Sequence, residues 1–337
     1  MIKYIGLDAH SSTCTFNVTD ERGMEVDNNT TIESNGRLLV KYLRGIEGVK
    51  KLTFEECELS SWLYEILRPE VDELIVCNPV ANKDYKKVKT DKMDARKLSK
   101  LLRGGFLISV YHDGSKRERF RSLMSGYQDL IEEGVRLKNR YKSLFRKSGN
   151  KVKGESLYSD ESFLEGLERS DFKFIGVQIY QLLEKMEGSR QEYVKEIDRY
   201  GKGFKEIKYL KSIPGIGSIQ AAKIVSQVID PERFSSKYKY YSYCGLVRHK
   251  RISDGRGYGS EKIWGNRILK CVYKMAGHAV LKGKSGLRKH YDSLRVKGIS
   301  HDNAYNAVCR KIAAISLSVW RKSENYNDGL IPGNLIK

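Results

Sequence analysis

Apolar residues recur at alternating intervals of three and four between residues 120 and 144, and this spacing restricts the fold more than any other feature. The members of the pattern are Phe120, Leu123, Tyr127, Leu130, Gly134, Leu137, Tyr141 and Leu144. Such a repeat places successive apolar side chains on one face of a helix, and only Gly134 interrupts it. The pattern stops in a polar segment, residues 147–162, and resumes over residues 179–207. It predicts two long helices joined by a polar tip. They form either an antiparallel coiled-coil arm, within one chain or between two subunits, or part of an ordinary bundle.

The first hundred residues alternate between strand and helix patterns. Short apolar or alternating runs predict strands over residues 3–7, 13–19, 51–54 and 73–77, and helices over residues 38–43 and 60–67. A turn at residues 21–23 leads the second strand toward a third, so a three-stranded meander precedes the alternating elements. This order predicts a mixed α/β sheet. Asp8 and Glu55 then lie at the ends of two strands, where a sheet presents functional groups.

Two aspartates, Asp91 and Asp94, lie three residues apart in the basic stretch from Lys89 to Arg96. We predict a helix that begins here and continues to residue 102, which places both carboxylates on one face. Neighbouring carboxylates repel each other unless a cation lies between them, and a hard divalent ion such as Mg²⁺ or Mn²⁺ takes carboxylate oxygens as ligands. The alternative is a solvated helix start, where aspartates interact favourably with the helix dipole.

The charge balance favours a partner that is a polyanion. The chain has 62 Lys and Arg against 42 Asp and Glu, a net charge of +20, which is typical of proteins that bind nucleic acid. No apolar run is long enough to span a membrane, and no secretory or lipidation signal is present, so we expect a cytoplasmic protein associated with the nucleoid. The six cysteines are scattered without a C-x-x-C pair, which indicates neither a zinc site nor a disulfide framework.

A tight glycine turn lies between two predicted helices in the C-terminal part of the chain. Residues 213–217 read Ile-Pro-Gly-Ile-Gly, as in a helix-hairpin-helix, whose exposed backbone N–H groups bind DNA phosphates without reading sequence. On this interpretation Gly215 and Gly217 contact phosphate. An ordinary turn between two helices is the alternative.

Basic and aromatic residues alternate after this turn. Residues 237–241 read Lys-Tyr-Lys-Tyr-Tyr, so Lys237 and Lys239 would bind phosphates while some of the rings stack on unpaired bases and others belong to the core. A glycine-rich loop follows at residues 253–260. Two further helices, predicted over residues 266–281 and 304–321, close the domain.

In combination, these residues resemble the DEDD insertion-sequence transposases of the "one-ten" group, also called bridge-RNA-guided recombinases. The resemblance rests on Asp8 in Gly-Leu-Asp-Ala-His, Glu55 in Phe-Glu-Glu-Cys, and Asp91 and Asp94 in Lys-Thr-Asp-Lys-Met-Asp-Ala. It continues in the same order through Pro-Gly-Ile-Gly, Tyr-Cys-Gly-Leu, Ser-Asp-Gly and Gly-Asn, at residues 214–217, 243–246, 253–255 and 265–266. It therefore covers nearly the whole chain.

The resemblance implies three domains. These are a RuvC-like domain with an RNase H fold at residues 1–112, a coiled-coil arm at residues 113–207, and a mainly helical transposase domain with a helix-hairpin-helix at residues 208–337. It also implies a noncoding bridge RNA that pairs with both donor and target DNA, and we expect the chain to assemble as a homodimer or tetramer.

The resemblance further implies a catalytic role for five residues. Asp8, Glu55, Asp91 and Asp94 would bind Mg²⁺ or Mn²⁺, and Ser253 would be the nucleophile, with Arg251 or Arg256 neutralising charge beside it. Adjacent strand residues face opposite ways, so only one of Glu55 and Glu56 can enter the site, and the resemblance selects Glu55. The residues expected to bind nucleic acid are Lys89, Gly215, Gly217, Lys237, Lys239, Arg248, Lys250, Arg251 and Arg256.

Two departures from the family pattern accompany this assignment. Glu58 stands where the family has a small residue or glycine, and Asp254 follows Ser253 where the family has glycine. One alternative function is a metal-dependent, structure-specific DNA nuclease that uses water as the nucleophile and does not need Ser253. Another is a DNA-binding protein without catalytic activity, whose acids are surface charges and whose Ser253 is a turn residue.

Overall fold

The structure is a computed structural model and describes residues 1–80, 90–248, 252–253, 256–257 and 265–330. It divides into two units, Met1–Arg119 and Phe120–Lys337. A hydrophobic core fills the first unit, and two further clusters of buried apolar side chains lie in the second. The three domains that the sequence suggested are a finer division, which stays a prediction.

A six-stranded mixed sheet forms the centre of the first unit. Its strands are β1 (Ile2–Ala9), β2 (Thr13–Thr19), β3 (Glu25–Glu33), β4 (Val49–Glu55), β5 (Glu73–Cys77) and β6 (Ser109–Val110), in the order β3-β2-β1-β4-β5-β6. The first three strands form an antiparallel meander, β4 and β5 run parallel to β1, and β6 is antiparallel to β5. This is the α/β sheet predicted from the sequence, and it is consistent with an RNase H-like fold. The two-residue strand β6 was not predicted, because so short a segment has no recognisable pattern.

Helices cover both faces of this sheet. α1 (Gly36–Arg44) and α2 (Ser60–Leu67) pack on one face, where Leu39, Leu43, Leu63 and Leu67 join Leu7, Phe16 and Phe54 in the core. α3 (Asp91–Gly104) packs against β1, β2 and β4 through a buried stripe that contains Ala95, Leu98 and Leu102. Because side chains alternate along a strand, residues next to Leu7 and Phe54 belong to the face that α3 covers.

Two long antiparallel helices begin the second unit. α4 spans Lys116–Lys147, with its first turn in the first unit, and α5 spans Ser170–Gly201. Ring centroids lie 6.1 Å apart for Phe120 and Tyr200, 6.1 Å for Tyr127 and Tyr193, and 6.3 Å for Tyr141 and Tyr180. The residue numbers of α4 rise along these pairs while those of α5 fall, so the two helices are antiparallel along the predicted seam. A coiled coil stays a prediction.

The ends of this helix pair differ from the sequence prediction. The tip contains two short 3-10 helices, Ser156–Tyr158 and Glu161–Gly166, and buries Leu157, Leu164 and Leu167 in an apolar cluster of its own. At the other end the predicted helix over residues 179–207 is confirmed only as far as Gly201, where α5 ends, and the prediction beyond that residue is wrong because a separate helix begins at Lys205. Glycine disfavours helix continuation, and after Gly203 the chain is extended at Phe204, with φ −120°.

The remaining helices of the second unit pack around a single core. They are α6 (Lys205–Lys211), α7 (Ser218–Val228), α8 (Lys237–Tyr243), α9 (Arg267–Lys282), α10 (Gly286–Val296) and α11 (His301–Lys322), and a small hairpin pairs β7 (Ile252–Ser253) with β8 (Arg256–Gly257). α9 and α11 are the two predicted closing helices. α10 was not predicted, since few of its residues, such as Leu287 and Tyr291, are buried and apolar. Throughout the described ranges, each helix is too short or too polar to cross a membrane.

Candidate metal centre and nucleic-acid surface

The two aspartates of the basic stretch lie on the first turn of α3. Thr90 adopts an extended conformation before the helix, and its side chain accepts a hydrogen bond from the Met93 N–H. Thr90 is therefore the N-cap residue at which α3 starts. Asp91 is the first helical residue, and Asp94 follows one turn later. Both carboxylates therefore lie at the N-terminus of the helix, where the helix dipole stabilises negative charge.

A glycine in β1 brings this helix close to the sheet. A Cβ atom on Gly6 would lie 2.1 Å from the carbonyl oxygen of Ala95 and 2.5 Å from the backbone nitrogen of Ser99. No other residue fits there without displacing α3. A buried hydrogen bond of 2.6 Å from Ser99 Oγ to Asn17 Oδ1 also fixes α3 against β2. The start of the helix is thus held over the end of β1.

Asp8, His10 and Asp91 meet at this point. His10 Nε2 lies 3.2 Å from Asp8 Oδ2 and 3.8 Å from Asp91 Oδ1. The potential ligand atoms of the three side chains all lie within 4.8 Å of one another. The Asp8 side chain is mostly buried, with 17% of its surface exposed, whereas His10 and Asp91 are open to solvent. One buried and two accessible ligands form a site that a cation can enter.

The electrostatics of the group also suit a cation. Burial raises the pKa of the Asp8 carboxyl above its usual value, His10 opposes this increase, and the nearby charges of Asp91 and Asp94 add to it. A divalent ion between these carboxylates would remove their mutual repulsion and replace the water that burial excludes. Carboxylate oxygens suit Mg²⁺ and Mn²⁺, and the imidazole of His10 suits transition metals. The residues present therefore fit a divalent metal.

Glu55 lies on the neighbouring strand. Leu7 pairs with Phe54 in the parallel register of β1 and β4, so Asp8 and Glu55 each follow at the next position. Glu55 and Asp94 are not within the close group formed by Asp8, His10 and Asp91. The structure thus brings together two of the four predicted acids and adds a histidine, while Asp94 lies on the same helix as Asp91 and Glu55 lies on the strand next to that of Asp8.

Glu56 is engaged elsewhere. Its Oε2 atom lies 2.6 Å from His112 Nε2, and this contact draws its side chain away from the α3 face. Adjacent residues of an extended chain point to opposite sides, so Glu55 is directed to the α3 face. This geometry supports the choice of Glu55 over Glu56, although its role as a ligand stays a prediction.

His10 was missed by sequence reasoning, which assigned no role to it. The sequence feature that could have identified His10 is its position two residues after Asp8, because residues i and i+2 of an extended segment face the same side. A strand-end aspartate followed by Ala9 and His10 can therefore present a carboxylate and an imidazole together.

Local contacts explain both glycines of the turn between α6 and α7. The Ile216 N–H donates to the Ile213 carbonyl at 3.0 Å, and Gly215 has φ +86°, as in a type II turn with Pro214 at its second position. A Cβ on Gly215 would lie 2.5 Å from the carbonyl oxygen of Ala276 in α9. The Gly217 N–H donates to Gln220 Oε1 at 3.1 Å. Each glycine thus has a structural role, and a phosphate contact at either one stays a prediction.

A groove of about 940 Å³ lies between the end of α5, α6 and the start of α7. Its lining includes Lys202, Lys205, Lys208 and Lys211, together with Asp198 and with Ser218 at the N-terminus of α7. The four lysines are exposed, and none of them forms an ion pair with another described residue. We call this feature the lysine groove. Sequence reasoning missed it, because it considered only the apolar pattern of this region and assigned none of these lysines a role.

The other predicted nucleic-acid contacts are partly described. Lys237 and Lys239 are exposed on α8, and Tyr238 is 68% exposed. Tyr240 and Tyr241 are the tyrosines that belong to the core, and the hydroxyl groups of Tyr240 and Tyr273 lie 2.5 Å apart. Only Tyr238 of residues 237–241 can stack on a base.

The predicted nucleophile lies in the small hairpin. The backbone of Ser253 in β7 pairs with that of Arg256 in β8, and Arg256 is exposed. Arg248 is exposed at the end of the preceding segment. The side chain of Ser253 lies outside the described part of the structure, as do Lys89, Lys250, Arg251 and Asp254.

Carboxylates at the end of a mixed α/β sheet, in a strongly basic chain, are typical of metal-dependent enzymes that act on nucleic acid. Comparison with known proteins gives the family. The DEDD transposase family of IS110 elements matches residues 5–148, and the "Transposase IS116/IS110/IS902 family" matches residues 207–292. The two matches together span more than half of the chain and include all five predicted catalytic residues. The chain belongs to the IS110 family of transposases.

Two curated relatives agree with this assignment. The chain is 25% identical over 255 residues to "Putative transposase y4qE" of Sinorhizobium fredii, an alignment that covers 74% of this chain and 64% of that protein. It is 26% identical over 125 residues to "Insertion element IS110 uncharacterized 43.6 kDa protein" of Streptomyces coelicolor, which covers 37% of this chain and 31% of that protein. The chain thus spans less than two thirds of the length of these relatives. Membership of a DEDD family implies a divalent metal.

Proposed function

We propose that this chain is a DNA transposase that cuts and rejoins DNA strands at a centre formed by Asp8, Glu55, Asp91 and Asp94. The observation that carries the proposal is the meeting of Asp8, His10 and Asp91 at the end of β1, held there by the close approach at Gly6. When Mg²⁺ or Mn²⁺ is bound, it polarises the phosphodiester and stabilises charge on the attacking and leaving oxygens. His10 makes a mixed oxygen and nitrogen site, which favours Mn²⁺ over Mg²⁺.

Ser253 is the proposed nucleophile. Its hydroxyl oxygen forms a bond to phosphorus while the bond from phosphorus to one DNA oxygen breaks, the serine proton is lost to solvent, and the leaving oxygen takes up a proton. The number of phosphoester bonds is unchanged, so attack by a DNA hydroxyl on the covalent intermediate can rejoin strands. The backbone pairing of Ser253 with Arg256 supports a role for this guanidinium in neutralising the phosphate.

A trapping experiment tests the serine. Wild-type protein should give a denaturation-resistant adduct with DNA that carries a radiolabelled phosphate, and Ser253→Ala should give none while still binding DNA. Ser318→Ala provides a matched control in α11, away from the hairpin. Cleavage by Ser253→Ala at the wild-type rate would instead favour the nuclease that uses water. An adduct that persists in Ser253→Ala would move the nucleophile elsewhere, with Ser260 as the first candidate.

The DNA backbone is the proposed occupant of the lysine groove. Four ammonium groups that form no ion pair with a described residue line it, and the helix N-terminus at Ser218 adds backbone N–H groups that suit a phosphate. These contacts read no bases, so the groove would hold DNA without selecting sequence. We infer that it supplements the contacts expected from Lys237, Lys239 and Arg256.

A noncoding bridge RNA that pairs with donor and target DNA would supply the sequence selection. The net charge of +20 supports this part of the proposal, because it permits more nucleic acid than one duplex requires. Sequencing the RNA that copurifies with the protein, and comparing it with the DNA flanking the gene, tests the idea. Copurifying RNA without any match to that flanking DNA would contradict it.

Self-assembly through the helix pair is also proposed. Leu130 and Leu137 of the seam are only partly buried within the chain, and Val135 beside them is 53% exposed. Replacing both leucines by glutamate should lower the mass measured by light scattering if a second copy covers this face. A mass equal to that of wild type would support a helix pair that acts within one chain only.

A further inference from the structure

A buried histidine connects the end of β4 to the start of α4. His112 Nε2 lies 2.6 Å from Glu56 Oε2, and His112 Nδ1 forms a short hydrogen bond with Glu118 Oε1. The side chains of His112 and Glu118 are only 2% and 5% exposed. The Tyr64 ring of α2 stacks on the imidazole, with centroids 5.5 Å apart. These contacts fix the position and the plane of the ring. We call His112, Glu56 and Glu118 the histidine clamp.

The charge state of the clamp follows from its surroundings. Burial alone would lower the pKa of His112, but its hydrogen bonds to Glu118 and Glu56 outweigh burial and raise this pKa to about 9. At neutral pH the imidazole is therefore a cation that donates from both nitrogens. Glu118 is held in turn by the N–H groups of Gly114 and Asp113, which donate to its Oε2 at 2.7 and 3.2 Å. Both nitrogens of His112 and both carboxylate oxygens of Glu118 therefore have hydrogen-bond partners.

The clamp acts on the residue that follows Glu55. The Glu56 N–H donates to the Cys77 carbonyl at 2.9 Å, and Cys77 is the partner of Glu55 in the β4–β5 register. The backbone is thus fixed on one side by β5, and the Glu56 side chain is drawn toward Tyr64 on the α2 face. Successive side chains alternate, so this arrangement directs Glu55 to the opposite face. That face also presents Asp8 and Asp91.

We propose that His112 is a positioning residue for Glu55: through Glu56 it holds the end of β4 so that the Glu55 carboxylate stays on the face of Asp8 and Asp91. The inference rests on the proposed function in one respect, the role of Glu55 as a metal ligand. Groups that orient metal ligands from outside the coordination sphere typically change metal affinity by about 10–100-fold when they are replaced.

Metal affinity tests the clamp without measuring catalysis. Mn²⁺ is titrated into the full-length protein at pH 7 and followed by the electron paramagnetic resonance of the free ion, at a temperature where circular dichroism shows every variant to be folded. His112→Gln should bind Mn²⁺ about tenfold more weakly than wild type, and Glu118→Gln should change the affinity in the same direction. Glu55→Gln should show at least as large a loss.

Tyr42→Phe is the matched control. The Tyr42 hydroxyl makes a short hydrogen bond to Asp27 on the same sheet, and its ring packs on Phe16, so the variant loses a hydrogen bond but keeps the ring. It should be destabilised without a change in Mn²⁺ affinity. If His112→Gln does not fold, Glu56→Gln takes its place, since it keeps the side-chain shape and weakens the contact with the imidazole. Glu56→Gln should likewise bind Mn²⁺ more weakly than wild type.

Three outcomes would overturn the inference in distinguishable ways. Wild-type affinity in His112→Gln, with a loss in Glu55→Gln, would reject the clamp and leave the metal centre intact. Equal losses in His112→Gln and Tyr42→Phe would show general destabilisation rather than positioning. Wild-type affinity in Glu55→Gln would remove the premise and, with it, Glu55 from the proposed centre.

Discussion

The acid centre of the first unit and the lysine groove of the second are built by opposite means. Asp8 and Asp91 have short side chains on a strand and a helix whose spacing is set by direct backbone contact at Gly6. The groove instead presents ammonium groups at the ends of long, exposed side chains, of which Lys205, Lys208 and Lys211 lie on a helix of only seven residues. Metal coordination requires ligands within a few tenths of an ångström, whereas a phosphate backbone accepts charge from many positions. The comparison predicts steep losses at the centre and graded ones in the groove.

Replacing an acid should have the largest effect. Asp91→Asn removes the charge of a proposed ligand but keeps the shape of the side chain. Replacing a group that only orients a metal ligand costs up to about 100-fold, so we expect loss of the ligand charge to reduce the rate of strand cleavage by at least that much. DNA binding, measured by fluorescence anisotropy, should change little because the basic surface is intact. Glu21→Gln, an exposed acid on the same unit, is the control and should cleave normally. Cleavage at the wild-type rate by Asp91→Asn would contradict the difference between the two regions, because the acid centre would then tolerate substitution as the lysine groove does.

Gly6→Ala should have the next largest effect. The added Cβ would meet the backbone of α3, so we expect a loss of stability of about 3 kcal/mol, the upper part of the range for overpacked sites. The protection of β1 amides in hydrogen exchange measures this loss. Gly45→Ala is the control: its φ is −76°, its Cβ would meet only ordinary contacts, and its stability should be unchanged or slightly higher. If Gly6→Ala is as stable as Gly45→Ala, α3 is not held as closely as the structure indicates.

The histidine clamp should make the first unit sensitive to alkali. The pKa of His112 is raised to about 9 in the folded chain against 6.5 for the free side chain, so its stabilisation is complete below about pH 6.5 and is lost as the pH rises through 9. The groups that face it are Glu118, Glu56 and the Tyr64 ring. We expect the free energy of unfolding of wild type to exceed that of His112→Gln by about 2 kcal/mol near pH 6 and by much less near pH 9.5. Hydrogen exchange of the β4 amides, corrected for intrinsic rates, measures this difference. A difference independent of pH would mean that the imidazole is not charged.

The lysine groove should show the smallest effect. Replacing Lys205 and Lys208 by glutamine should reduce the slope of log affinity for duplex DNA against log salt concentration by about 2, since each phosphate that a lysine neutralises adds about 0.9 to this slope. Lys173→Gln with Lys185→Gln removes the same charge from exposed positions of α5 outside the groove and should leave the slope nearly unchanged. Equal slopes in the two double variants would show that the groove is only part of a diffuse positive surface.

The sequence predicted the first unit more accurately than the second because its elements have strong local signals. Alternation gave the bounds of β2, a short apolar run gave those of β5, and the helix pattern up to residue 102 placed the start of α3 in the basic stretch. His112 was not recognised, because its partners Glu56 and Glu118 are brought together only by folding. No spacing along the chain records such a contact.

The second unit shows where periodicity fails. The seam predicted both long helices, but the same apolar spacing continued past Gly201 into a separate helix, so the end of α5 and the lysine groove were missed. The tyrosines after Lys237 illustrate a related limit. Tyr238 and Tyr240 have the same residue type and similar neighbours in the sequence, yet Tyr238 is exposed and Tyr240 is buried. Only the packing of α8 against α9 determines which tyrosine joins the core.

The backbone contact at Gly6 has a consequence for ion selectivity. Because α3 cannot move closer to β1 and the buried Ser99 hydroxyl keeps it from moving away, the gap between Asp8 and Asp91 would act as a gauge of ionic radius in the proposed metal centre. Mg²⁺ and Mn²⁺ need short metal–oxygen distances, about 2.1 Å for Mg²⁺, whereas Ca²⁺ needs about 2.3–2.6 Å and more ligands. A gap that cannot widen would hold Ca²⁺ with strained ligands. Calcium should therefore compete poorly with manganese, and changing the residue at position 6 should alter which ion the proposed centre accepts.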